Sequence, residues 1–342
     1  MNYAIILAGG VGKRFWPLSQ TERPKQFLKL FSNNTLLEET ILRLAPLIDK
    51  ENIYIATHII YKEIIQNYMK KLKLRKENIF FEPMRKNTFL PIAYISYKIF
   101  QNDAQGVVIV LPSDHLIKCK REFLLAIKKA IYMAKKGFIV TLGVKPDYPE
   151  TEYGYIRIFN RPLARDRETF KVEKFIEKPS LSKAKIFLKD KRYFWNAGIF
   201  IFRVDLMMEE IKRYQPKVFS LIKENLSNLN KIWKNGLSSS IDYAIMEHSK
   251  KLALVPFKGE WSDLGRWQAI ADLLKKDKNK NIFKCKRGYI DSENKNIFVW
   301  SENRFAACLG LKDLYIIETE HGLLICSKDK INRIKELIKS KN

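Results

Sequence analysis

The first 26 residues constrain the fold more than any other part of the chain. A short apolar run, Tyr3-Ala4-Ile5-Ile6-Leu7, stops at Ala8-Gly9-Gly10-Val11-Gly12-Lys13-Arg14, and Pro17-Leu18 and Pro24-Lys25-Gln26 follow. The run has the length and β-branched content of a buried strand. Three glycines then permit a tight turn whose backbone N–H groups can approach an anion closely. Arg14 and Lys25 add fixed positive charge just beyond it. Such a turn can hold a nucleoside triphosphate by its phosphates. It is not a Walker loop, because no Gly-Lys-Ser/Thr follows. Nor is it a dinucleotide fingerprint, because the glycine spacing differs and an Arg and a Pro follow.

Alternation extends this beginning into an α/β fold. Strand-like runs at Ile53–Ala56, Ile79–Phe81, Val107–Leu111 and Phe138–Leu142 are separated by helical patterns at Leu36–Leu47, Tyr61–Leu72, Pro91–Phe100 and Phe123–Lys135. The expectation is a Rossmann-like, mostly parallel sheet flanked by helices. Ligands of such sheets bind beyond the carboxyl ends of the strands. Further strands are expected at Tyr155–Ile158, Lys171–Glu177, Gly198–Phe202 and Leu252–Pro256. The charged stretch Lys275–Lys280 reads as a linker, so a domain over residues 1–274 and a small unit over 281–342 are expected. Short strands in that unit are expected at Lys284–Ile290, Asn296–Trp300, Ala306–Leu309, Leu314–Glu318 and Leu323–Ser327, closed by a Lys-rich helix at Ile331–Ile338. No internal repeat is evident outside that unit.

Composition removes several classes. No apolar run reaches membrane-spanning length, and the chain begins without a signal peptide's pattern, so a cytoplasmic protein without a membrane partner is expected. Four scattered cysteines suit reduced, packed thiols. The net charge of +26 invites nucleic acid as a partner, but the excess is Lys spread along the whole chain with no dense basic block, so none is expected. The charge still favours anionic substrates.

Several residues carry chemistry at the expected ligand edge. Asp114, in Leu111-Pro112-Ser113-Asp114-His115, can be a Mg²⁺ ligand or the cap of the next helix. Asp263, in Trp261-Ser262-Asp263-Leu264-Gly265-Arg266-Trp267, is a second carboxylate far away in sequence and can cap the helix that follows. His115 has no partner at metal-ligand spacing and reads as a packing residue. In Glu82-Pro83-Met84-Arg85-Lys86-Asn87-Thr88, Glu82, Asn87 and Thr88 offer donors and acceptors to a base or ribose; Thr88 can also be a helix cap. Gly154, in Pro149-Glu150-Thr151-Glu152-Tyr153-Gly154-Tyr155-Ile156, has no side chain to keep another group from its backbone. Glu177 and Lys178, in Phe175-Ile176-Glu177-Lys178-Pro179, and Asn196, in Phe194-Trp195-Asn196-Ala197-Gly198, supply an acceptor, a cation and an amide.

Taken together, the Gly-rich opening, Phe15-Trp16-Pro17-Leu18-Ser19, Pro24-Lys25-Gln26-Phe27 and the later segments resemble the sugar-1-phosphate nucleotidylyltransferases, in the branch that uses GTP and mannose 1-phosphate. The resemblance implies the nucleotidyltransferase fold with a left-handed β-helix-like tail. It pairs Asp114 and Asp263 on one Mg²⁺. It implies in-line attack of the sugar phosphate on the α-phosphorus of GTP, releasing pyrophosphate. The expected nucleotide-binding set is Leu7, Ala8, Gly9, Gly10, Gly12, Lys13, Arg14, Glu82, Asn87, Thr88, Pro112 and Ser113. The expected sugar-phosphate set is Gly154, Glu177, Lys178 and Asn196. Arg14, Lys25, Asp114 and Asp263 are the expected catalytic groups. Lys13 and Arg266 stand where the family often has small hydroxyl residues, and Arg85-Lys86-Asn87-Thr88-Phe89 departs from its usual Arg-Asn-Thr pattern. Asp242-Tyr243-Ala244-Ile245-Met246-Glu247 also matches, as a helix shaping the sugar pocket. A homodimer is expected, and isomerase activity is not.

Overall fold

The computed structural model describes residues 1–163 and 168–339, with the backbone alone for Lys13, Lys335, Ile338 and Lys339. Two compact units result, and they are not sequential halves. The first comprises Met1–Gly9, Glu38–Ser113 and Ile117–Trp261; the second comprises Gly10–Leu37, Asp114–Leu116 and Ser262 onward.

A nine-stranded sheet organises the first unit. Its strands are β1 (Asn2–Leu7), β2 (Ile53–His58), β3 (Ile79–Glu82), β4 (Val107–Pro112), β5 (Ile139–Val144), β6 (Tyr155–Pro162), β7 (Phe170–Ile176), β8 (Tyr193–Arg203) and β9 (Leu252–Pro256). They lie in the order β3-β2-β1-β4-β8-β5-β9-β7-β6. The first four in that order run parallel. Only β7 and β8 run opposite to the rest. Near-continuous burial of Ala4-Ile5-Ile6 and Val107–Leu111 is what a strand covered on both faces requires. Helices Phe89–Asn102 and Val204–Tyr214 supply Leu90, Ile92, Ile95, Met207 and Ile211 to the large core.

Strand β8 is the branch point. Its Phe200–Ile201 stretch pairs with both β5 and β4, while Tyr193–Trp195 pairs with β6. Because β6 also pairs with β7, and β7 with β9, strands β8, β5, β9, β7 and β6 close into a ring. The register of β5 against β8 slips between Thr141 and Gly143, opposite Asn196-Ala197-Gly198, and Gly198 has φ 66°. A bulge of this kind bends a strand and re-aims a side chain.

The second unit contains a short β-helix-like stack. Strands β10 (Ile282–Cys285), β12 (Phe298–Ser301) and β14 (Leu314–Thr319) pair in parallel, as do β11 (Tyr289–Ser292) and β13 (Ala306–Leu309); β15 (Gly322–Ser327) returns antiparallel on β14. The expected single strand Lys284–Ile290 is therefore two strands, parted by a turn in which Gly288 takes φ 93°. Ile282, Phe298 and Tyr315 stack in register, so a repeat of 16 and then 17 residues exists that the sequence did not disclose. Corner asparagines tie successive rungs. Asn281 donates to Asn294 O and accepts from Ile297 N; Asn294 repeats this with Cys308 O and Leu311 N. The C-terminal segment opens with a 3₁₀ turn, Lys328–Arg333, and becomes α-helical only at Ile334–Lys339, later than expected. The four cysteines are unbridged.

Candidate active site

In the second unit, the glycine-rich turn is built around Lys25. Gly12 takes φ 64°, and a Cβ there would lie 2.7 Å from Lys25 Cβ and 2.8 Å from Lys25 N. Only glycine fits that approach. Ser19 Oγ donates to Gly12 O at 2.6 Å, and Gln26 Nε2 to Gly10 O at 3.0 Å, so the turn is pinned from both sides. Gly12 leads into a 3₁₀ turn, Lys13–Phe15, which carries Arg14. A second 3₁₀ turn, Lys25–Phe27, starts after Pro24 and buries Lys25.

Three donors on the Lys25 ammonium meet three acceptors. These are Asp114 Oδ2 at 2.7 Å, Asp263 O at 2.6 Å and Leu264 O at 3.0 Å. The face of Phe15 lies 5.7 Å away. Burial by itself pushes the Asp114 carboxyl up, but Lys25 and then His115 hold it below the usual carboxylate range. With its side chain one-third exposed, Asp114 is an ionised carboxylate that still reaches solvent. Asp263 caps no helix. Its Oδ1 accepts from Gly265 N at 2.8 Å, and a Cβ at Gly265 would come within 2.5 Å of Oδ2. Leu264 between them takes φ 48°. The N-cap of helix Trp267–Leu273 is Arg266, and that of Lys120–Lys135 is Cys119, so neither aspartate takes the alternative capping role. Among the described residues, no group of three or more His, Cys, Asp or Glu is arranged to hold a metal. A small oxygen-preferring cation that takes one or two carboxylates and completes its shell with phosphate and water suits this donor set.

In the first unit, the end of β1 lies between β4 and β2, and Gly9 beyond it reaches Glu82 of β3. Leu7 is in register with Pro112, and Ser113 N donates to Leu7 O at 3.0 Å. Ala8 N donates to Ala56 O at 2.7 Å, and Thr57 Oγ1 to Ala8 O at 3.0 Å. A Cβ at Gly9 would sit 3.2 Å from Glu82 Oε1, so the last residue of β3 aims its carboxyl at this turn. Burial pushes Glu82 up to about 7, against the pull of Trp233 Nε1, which donates to Oε2 at 3.4 Å, and of Arg85. Asn87 is exposed with φ 61°, and its Oδ1 accepts from Thr88 N. Thr88 makes no side-chain cap to the helix it precedes. Its Oγ1 accepts instead from Ile241 N at 3.0 Å, tying the start of this helix to the helical residue before Asp242.

The four sugar-phosphate candidates converge in the same unit. Asn196 N donates to Gly154 O at 2.8 Å. A Cβ at Gly154 would lie 2.5 Å from Glu177 Oε2 and 3.2 Å from Asn196 Cβ. Lys178 has φ 46°, and its ammonium turns back to Glu177 Oε1 at 2.5 Å. Asn196 Oδ1 accepts from Gly198 N at 3.0 Å and Thr141 Oγ1 at 3.1 Å, and Nδ2 donates to Asp242 Oδ1 at 2.9 Å. Burial, and then the negative charge of Glu177, push the Asp242 carboxyl up. Thr141 and Trp233 were not among the expected site residues. Both lie in apolar surroundings that read as core, and only the pairing of β5 with β8 and the position of Glu82 give them a role.

A glycine-rich turn after the first strand of an α/β sheet, a buried lysine paired with a carboxylate, and a convergence of carboxylate, ammonium and amide groups are what a nucleotide-handling transferase requires. Comparison with known proteins gives the particular family. The family model described as "Nucleotidyl transferase" matches residues 3–280, and the "MannoseP isomerase/GMP-like beta-helix domain" matches 288–340. A curated mannose-1-phosphate guanylyltransferase of Salmonella muenchen is 34% identical over 98% of this chain and 72% of its own length. The xanthan biosynthesis protein XanB of Xanthomonas campestris (strain B100) is 32% identical over 98% of this chain and 72% of its own. A solved structure from Thermus thermophilus, described as a mannose-1-phosphate geranyltransferase, superposes with TM-score 0.90 at 30% identity, covering 99% of this chain and 98% of that one. The chain belongs to the nucleotidyl transferase family, in its mannose-1-phosphate guanylyltransferase branch. Among the described residues, no helix is long and apolar enough to cross a membrane.

Proposed function

We propose that the protein transfers GMP from GTP to α-D-mannose 1-phosphate, forming GDP-mannose and pyrophosphate. The near-full-length match to a protein named for that reaction carries the reading. The attacking phosphate oxygen is already anionic, so the chemistry needs positioning and charge neutralisation more than a protein base. Backbone N–H groups of the Gly9–Gly12 turn cradle the triphosphate, with Lys13 beside them and Arg14 neutralising the leaving pyrophosphate. Lys25 holds the α-phosphate or the incoming phosphate, exchanging one of its three protein acceptors for a phosphate oxygen. Glu82, as a carboxylate, accepts from the base, a role that suits the paired donors on the guanine edge; Asn87 and Thr88 complete that side. Glu177, Lys178 and Asn196 orient the sugar phosphate against Gly154. Asp114 and Asp263 would hold Mg²⁺, which when bound supplies neutralisation of the phosphate charge. Residues 1–274 form the catalytic part on this reading, and 281–342 the β-helix-like part. The protein acts in the cytoplasm, as a homodimer, without nucleic acid.

Pyrophosphate release tests this directly. Purified protein with Mg²⁺ is assayed with each of the four common nucleoside triphosphates against a panel of sugar 1-phosphates. Turnover confined to GTP with mannose 1-phosphate is the expected result. Turnover with another pair moves the base or sugar assignment, and silence across the panel overturns the enzymatic reading.

A further inference from the structure

We infer that the turn Asp242–Met246 is a two-point positioning device for the sugar-phosphate subsite: Asp242 fixes the side chain of Asn196, and Glu247 fixes the backbone of Glu177. The inference rests on the sugar-phosphate role proposed above for Asn196 and Glu177.

The turn is a π-helix, and Glu247 N donates to Asp242 O at 3.0 Å, the i→i+5 bond that defines it. In an α-helix, residues five apart point about 140° away from each other. The wider turn brings position 247 back over position 242, so two acidic side chains can serve one neighbourhood. Asp242 Oδ1 accepts from Asn196 Nδ2 at 2.9 Å. Glu247 Oε1 accepts from Glu177 N at 3.1 Å.

Each bond adds a hold at a point where the strand geometry is irregular. Asn196 sits on the bulge of β8, where the strand's own ladder is interrupted. Gly198 N and Thr141 Oγ1 hold its Oδ1 end, and Asp242 holds the Nδ2 end that faces the opposite way. An amide has four hydrogen-bonding positions. Three are used among the described residues, and the fourth, an N–H, is left to offer to a ligand. Glu177 follows the end of β7 and precedes Lys178, whose φ of 46° is unfavourable for a residue with a Cβ. The Glu247 bond closes the backbone just before that residue. Glu177 and Lys178 thus keep the conformation in which their side chains meet each other and the Glu177 carboxylate faces the space left by Gly154. Neither Asp242 nor Glu247 has to touch substrate for this to matter.

The test is steady-state kinetics of Asp242→Ala and Glu247→Ala, each beside its amide counterpart, Asp242→Asn and Glu247→Gln. An amide oxygen still accepts the same hydrogen bond. We expect KM for mannose 1-phosphate to rise about tenfold in the alanine variants, the size of losing one hydrogen bond to a charged group. KM for GTP should stay within about twofold, less than the loss of one ordinary hydrogen bond would give, and the amide variants should recover most of the loss. A purely structural role would raise both KM values together, or leave both unchanged; either result overturns the inference, as does an amide variant no better than alanine. Glu247 is exposed, so its variants carry the test if Asp242→Ala fails to fold. Wild-type turnover with a different sugar 1-phosphate overturns only the substrate assignment, and the same comparison is then made on that sugar's KM. Wild-type silence overturns both readings.

Discussion

The Lys25 cluster and the Asn196 cluster solve opposite electrostatic problems. Around Lys25, a buried full charge is matched by an ionised carboxylate and two carbonyls, all within 3.0 Å. Around Asn196, the anchor is a neutral amide, and the carboxyl that holds it, Asp242, is pushed up by burial and by Glu177. Glu82, near the end of β1, belongs with the second kind, at about 7. At the first place the charges of Lys25 and Asp114 are paired, whereas at the second the Glu177–Lys178 pair lies beside a carboxyl, Asp242, that burial pushes up. The first arrangement holds the Lys25 ammonium on three protein acceptors, so it meets a phosphate oxygen by exchanging one of them. The second suits hydroxyls and base edges, whose hydrogen bonds distinguish direction more than charge.

Replacing Lys25 should break the comparison most visibly. In Lys25→Ala, Asp114 loses its cation, and the carbonyls of Asp263 and Leu264 lose their donor. Turnover should fall about 10²–10³-fold if Lys25 meets phosphate in the transition state. Stability should fall by about 1–3 kcal/mol, the cost of leaving such acceptors unsatisfied. Lys25→Met separates the two effects by keeping most of the side-chain volume. A Met variant that loses stability but keeps turnover within about threefold, far short of a lost transition-state contact, would show that the ammonium only staples the loop.

How far the sequence foretold all this depends on how local each interaction is. The strands of the first unit and the glycine-rich turn were legible because burial on both faces and the need for positive φ leave marks within a few residues, as in Ala4–Ile6 and at Gly12. The β-helix repeat was not, because its register rests on hydrogen bonds between Asn281 and Asn294, and then Cys308 and Leu311, on different rungs. Asn is a common turn residue, so its spacing alone carried little weight. Thr88 shows the limit of local rules: a hydroxyl before a helix reads as a cap, yet it serves Ile241, 153 positions away. The closed ring of strands and the slip in register beside Gly198 likewise needed tertiary pairing to appear.

Gly154→Ala sharpens the contrast on the sugar side. The added methyl would meet Glu177 Oε2 at 2.5 Å and Asn196 Cβ at 3.2 Å. The carboxylate end is flexible and can move, so folding should suffer little. Moving it, however, disturbs the group proposed to receive the sugar. KM for the sugar 1-phosphate should rise about tenfold, as for one displaced hydrogen bond to a charged group, with the melting temperature nearly unchanged. Equal effects on both substrates would assign Gly154 to the fold instead.

The smallest effect, and the one that tests the raised carboxyls, is the pH response of Glu82. Its folded value of about 7 lies above the ordinary value of roughly 4.3 for a free Glu side chain. The folded protein therefore favours the protonated form. The stability this contributes is fully present below the unfolded value and is lost as pH rises through about 7. Glu82→Gln imitates the protonated carboxyl at every pH, so its melting temperature relative to wild type should climb between about pH 5 and pH 8. Binding should move the other way, because only the carboxylate can accept from the base with both oxygens. KM for GTP in the wild type should therefore fall a few-fold from about pH 6 to pH 8, while the Gln variant stays flat and weak. Parallel wild-type and Gln profiles in both measurements would mean that Glu82 does not titrate in this range, and the division between paired charges and raised carboxyls would then end at Asp242.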